Sequence, residues 1–88
     1  MNKLKAKIEQ KIREKTQYTL QELESIPTLV DSQYDDLKIS EMIEGVKVRV
    51  WLSRCTVADG MPYDNQVTVE YVDYDNYSWE RLTQYEAK

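Results

Sequence analysis

From Val46 the chain alternates with a period of two: Val46, Val48, Val50 and Leu52 are apolar, with Lys47, Arg49, Trp51 and Ser53 between them. Successive side chains of a strand point to opposite faces, so this run predicts a strand with one valine-rich buried side. Trp51, Cys55 and Val57 fall on the other side. Residues 58–65, Ala-Asp-Gly-Met-Pro-Tyr-Asp-Asn, are dense in turn formers. Alternation resumes beyond them at Val67, Val69 and Tyr71, separated by Thr68 and Glu70. The product is a β-hairpin spanning 46–74, the structural centre, whose buried face includes Val46, Val48, Val50, Val67 and Val69.

After a second turn at Asp75-Asn76, the segment 77–87 fits two periods. Trp79, Leu82 and Tyr85 suit a helix, whereas Trp79, Arg81, Thr83 and Tyr85 suit a strand. The aromatic and β-branched content favours a third strand, because a two-stranded hairpin alone is marginal in water.

Before the hairpin the period is helical. Met1, Leu4, Ile8 and Ile12 form a narrow stripe flanked by Lys5, Lys11 and Lys15, and Glu9 meets Lys5 and Arg13 at four-residue spacing. Thr19-Leu20-Gln21-Glu22 has the form of a capping box, opening a short helix from Leu20 to Ser25 that the Ile26-Pro27 step ends. A connector to Ser32 follows. Asp31 or Ser32 then caps a third helical segment through Leu37, Ser40, Glu41 and Ile43 to Glu44, with Gly45 as its left-handed terminator. The same segment also reads as a strand alternating Leu37, Ile39, Glu41 and Ile43; helix is the preferred reading.

These elements predict an α+β fold, with two or three N-terminal helices packed on a small C-terminal antiparallel β-sheet made of the hairpin and a third strand. The 88 residues suit one domain: a basic helix over 1–16, short helices and a connector over 17–45, and a β region over 46–88.

Composition sharpens the picture. The chain is 41% hydrophobic and 32% charged, which favours a folded, soluble protein. Phe is absent while Tyr occurs seven times and Trp twice, so much of the aromatic area carries a polar atom that wants a partner or water. Residues 1–16 carry a formal +4 and residues 17–88 a formal −8, a basic arm on an acidic body. The start of the chain runs straight into charged residues without a signal-peptide core, and no apolar run approaches membrane-spanning length; a cytoplasmic protein without membrane contact is expected.

Histidine is absent and Cys55 is the only cysteine, which argues against an internal disulfide, a thiolate zinc site and most base-catalysed chemistry. Cys55 has no histidine to activate it and reads as a packing residue. The two glycines, Gly45 and Gly60, belong to no phosphate-binding pattern. In a calcium-loop register from Asp73, positions six and twelve are Ser78 and Gln84; from Asp31 they are Asp36 and Met42, so both fail. A non-enzyme without metal or cofactor is expected.

The expectation that remains is a small binding or regulatory protein. Its second half interleaves tyrosines with carboxylates, and Tyr63, Asp64, Tyr71, Asp73, Tyr74, Asp75, Tyr77 and Trp79 are the candidate contact residues. An acidic, aromatic face suits another protein with a basic surface, and self-association into a homo-oligomer is a further route. The rival reading is a nucleic-acid-binding accessory role for the lysines of the first helix, which the acidic body disfavours.

Overall fold

A computed structural model describes residues 2–32, 35–53, 65–73 and 77–88, the side chains of 2–4 and 73 excepted. Its elements are α1 (Asn2–Lys15), α2 (Leu20–Glu24), β1 (Val30–Asp31), β2 (Asp35–Ile43), β3 (Val46–Ser53), β4 (Gln66–Asp73) and β5 (Ser78–Glu86). The strands form one antiparallel sheet in sequence order, β1-β2-β3-β4-β5, with both helices on one face. The α+β class stands. The sheet is larger, and the helical portion smaller, than the sequence suggested.

The central hairpin is as predicted. Val48 pairs with Tyr71, Val50 with Val69 and Leu52 with Val67, and all six are buried on the inner face. Val46 lies on the same face but is only partly buried. Cys55 and the turn residues 58–64 lie outside the described residues.

The third helix does not form. Residues 35–43 are instead β2, paired with β3 along its length. The reason lies at Glu44-Gly45, whose φ angles are 53° and 75°. Positive φ at both central residues is the signature of the two-residue hairpin turn that matches the right-handed twist of its strands. Gly45 therefore turns a hairpin, with Ile43 opposite Val46, rather than ending a helix. On a helix Ile39 and Ile43, four residues apart, would share a stripe, but Leu37 would fall off it. The three do not share one strand face either: a bulge at Lys38 places Leu37 opposite outward-facing Trp51, and Ile39 opposite inward-facing Val50. The Lys38 ammonium turns away to donate to the Ile26 carbonyl and Thr28 Oγ1, each at 3.0 Å. The segment read as a connector contributes β1, where Val30 pairs with Leu37.

Segment 77–87 is mostly β5, which pairs with β4 from Asp73↔Ser78 to Gln66↔Glu86. A second bulge near Leu82 interrupts this edge strand, and Glu80, Arg81 and Glu86 charge it; both devices discourage edge-to-edge aggregation.

Ile12 of α1 and Leu23 of α2 are fully buried against the sheet, with Ile8, Tyr18 and Leu20 around them. The capping box is formed: Thr19 Oγ1 accepts from the Glu22 amide at 3.1 Å, and Glu22 Oε1 accepts from the Thr19 amide at 2.9 Å. Three contacts fasten the helical layer. Lys15 Nζ meets Glu44 Oε1 at 2.8 Å, tying the end of α1 to the β2–β3 turn. The Tyr85 hydroxyl donates to the Thr16 carbonyl at 2.7 Å and accepts from the Tyr18 amide at 2.8 Å. The Leu20 amide donates to the Lys88 carbonyl at 3.1 Å.

Candidate protein-binding face

With the valines committed to the core, the alternating residues of β3 and β4 must populate the opposite face. Arg49 and Trp51 of β3 lie there, paired with Glu70 and Thr68 of β4. On β5, Trp79 stands opposite Val72, Arg81 opposite Glu70 and Gln84 opposite Thr68. Neither helix covers this side.

The side chains converge on one carboxylate oxygen. Arg49 Nη2 reaches Glu70 Oε1 at 2.9 Å, and the Trp51 indole N–H donates to the same atom at 2.7 Å. The Arg49 guanidinium lies 3.6 Å from the Trp79 ring centroid and 5.4 Å from that of Trp51. Arg49 thus bridges three strands by stacking on an aromatic of β5 while pairing with a carboxylate of β4. About three quarters of each side chain of the pair is buried, with 25% of Arg49 and 24% of Glu70 exposed. Such partly exposed pairs contribute up to about 1 kcal/mol, and the cation–π contact adds about 0.5–1 kcal/mol. The effect is chiefly to hold both indoles in fixed positions.

Ser32, Asp35, Arg49, Trp51, Thr68 and Glu70 line a shallow concavity of about 290 Å³ on this face. The register places Asp35 opposite Ser53, on the same side as Trp51. Gln84 Nε2 donates to Thr68 Oγ1 at 3.2 Å and frames the β5 side. Among the described residues, no group of three or more His, Cys, Asp or Glu is placed to hold a metal ion, and no helix is long and apolar enough to cross a membrane.

On the helical side, burial pushes the hydroxyls of Tyr18 and Tyr85 above the ordinary tyrosine range, and nearby Glu41 adds to the shift at Tyr18. The capping hydrogen bonds from Thr19 hold Glu22 below the usual carboxylate range, and the Lys15 ammonium does the same for Glu44.

The residues proposed from sequence as one contact surface are divided. Tyr71 is only 8% exposed and belongs to the core. Its even spacing from Val67 and Val69 is the reason: an aromatic at an inward position of β4 cannot also face a partner. Trp79 is on the opposite face, stacked on Arg49. Tyr77 immediately precedes β5, 86% exposed with a φ of 53°. Asp73 ends β4 opposite Ser78. Tyr63, Asp64, Tyr74 and Asp75 lie outside the described residues. Arg49 and Trp51 were missed as site residues, although the spacing Arg49-x-Trp51 against a valine face was the available signal. The chain matches no known protein family, no curated protein and no solved structure.

Proposed function

We propose that this chain is a small non-catalytic binding module that acts through protein–protein contact, using the outer face of its sheet around Trp51, Arg49 and Trp79. The observation that carries the reading is the Arg49 cluster itself, in which two tryptophans and an arginine are held in place on a face that neither α1 nor α2 covers. Interface energy concentrates in Trp, Tyr and Arg, and anchors that are already ordered lose little freedom on binding. Exposed Tyr77 extends the surface at the β4–β5 end. The formal −8 of residues 17–88 then steers a basic partner, while the centre of the contact surface moves from the tyrosines to the tryptophans.

The test compares three immobilised baits in an extract of the native cell: the wild type, Trp51→Ala with Trp79→Ala, and Lys7→Gln with Lys11→Gln. Circular dichroism and melting first establish that each is folded. A protein retained by the wild type and the lysine variant, and lost by the tryptophan variant, supports the reading. Loss with the lysine variant alone, or retention of nucleic acid that weakens steeply with salt, overturns it in favour of the basic helix.

A further inference from the structure

We propose that the concavity beside Trp51 receives the guanidinium of an arginine from a basic partner protein. This rests on the reading of the outer face as a protein-contact surface and names the chemistry of its anchor.

Size comes first. A volume of about 290 Å³ falls at the foot of the range for small-molecule and cofactor pockets and suits a single long side chain. The walls then select the chemistry. Asp35 and Glu70 contribute carboxylates, Ser32 and Thr68 contribute hydroxyls, and Trp51 contributes an aromatic ring. Among the described residues of the lining Arg49 is the one cation, and it is already engaged with Glu70 and stacked on Trp79. Among these described residues, two carboxylates against one guanidinium leave a formal excess of one negative charge. A ligand rich in donors and free of acceptors fits that lining, which describes a guanidinium, with five N–H groups in a planar fork. An anion or a phosphate would meet the wrong sign of charge.

The two aromatic distances decide where the arginine stacks. Arg49 lies 3.6 Å from the Trp79 centroid but 5.4 Å from that of Trp51, so Trp79 is the ring it occupies closely and Trp51 the ring left more open. The indole N–H bond to Glu70 fixes the orientation of the Trp51 ring before any ligand arrives. An incoming guanidinium can lie against that ring while its N–H groups reach Asp35 and Glu70. A lysine ammonium brings the same charge but neither the planar stack nor the fork, and should bind less well. At longer range, the formal −8 of residues 17–88 favours the approach of a basic surface.

The probe is N-acetyl-argininamide, titrated into the full chain while the indole N–H signals are followed by ¹⁵N NMR. Saturable movement of the Trp51 signal is expected, with a weaker response to N-acetyl-lysinamide and none to N-acetyl-glutaminamide. Asp35→Asn should weaken arginine binding about fivefold, whereas Lys47→Ala, on the same face but outside the concavity, should leave it unchanged. Equal response to the glutamine compound, or unaltered affinity in Asp35→Asn, overturns the arginine assignment even if the tryptophan variant still loses a captured protein. If arginine binds as expected while protein capture is indifferent to Trp51 and Trp79, the contact-surface reading fails and takes this proposal with it.

Discussion

Tyr85→Phe removes one oxygen atom and should loosen the whole helical layer. The hydroxyl joins β5 to the α1–α2 connector chiefly through its two short hydrogen bonds, to the Thr16 carbonyl at 2.7 Å and from the Tyr18 amide at 2.8 Å. At a typical net value of about 1 kcal/mol each, their loss costs about 1–2 kcal/mol, toward the lower end where water can reach the freed backbone groups. For a domain of this size that lowers Tm by about 4–16 °C. The effect also depends on pH. Burial raises the Tyr85 pKa above its ordinary value of 10.0, so the folded state favours the neutral phenol. The contribution is therefore complete below about pH 10 and fades as pH rises through the folded pKa, where a phenolate can no longer donate to Thr16. Urea unfolding followed by far-ultraviolet circular dichroism, at intervals from pH 7 to 11, measures the stability difference between wild type and variant. A difference below about 0.3 kcal/mol at pH 7, smaller than one ordinary hydrogen bond, would refute the latch. So would a difference that persists unchanged to pH 11.

Val50→Asp should abolish folding, because Val50 is fully buried in the central strand and an unpaired carboxylate there costs several kcal/mol against a total of about 4–13 kcal/mol; a wild-type melting curve would show that the core face is misassigned. Gly45→Ala should cost about 1–2 kcal/mol, all of it conformational: the φ is +75° and an added methyl group meets nothing within 4 Å. Chemical denaturation reads that loss, and a neutral result would contradict the two-residue turn. Glu22→Gln should lose its disadvantage on acidification, since a depressed folded pKa stabilises only above the unfolded value of 4.5 and the gain disappears as pH falls through the folded one. Paired melts at pH 7 and pH 3 test this, and a difference that survives at the lower pH would remove the carboxylate from the cap.

What could be read from the sequence follows the strength of local patterns. The β3–β4 core face was legible because period-two alternation maps directly onto the two sides of a strand, and the α2 cap because its hydrogen bonds join residues three apart. β2 was not, since its alternation is broken by the bulge at Lys38 and Gly45 serves a helix terminator and a hairpin turn equally well. The Arg49 cluster assembles residues from three strands, from Arg49 to Trp79, and depends on strand register, which no local pattern specifies. Tyr71 and Trp79 looked like neighbours on one surface for the same reason. The bulge at Leu82 of β5, together with the pleat of β4, places them on opposite sides.

The attachment of the helical layer to β5 has a consequence for how the molecule is made. Translation releases α1 first, yet the Tyr85 hydroxyl and Lys88 carbonyl that fasten the α1–α2 region come from the far end of the sheet. The meander of neighbouring strands can zip up one hairpin at a time as each emerges, since every pairing joins adjacent segments. The first helix has no such option. It has only part of its seat, among the valines of β3 and β4 and at Glu44, until the final strand arrives. A nascent or prematurely terminated chain that stops before β5 would therefore hold its lysine-rich amphipathic helix without the Tyr85 and Lys88 fastenings of the finished protein.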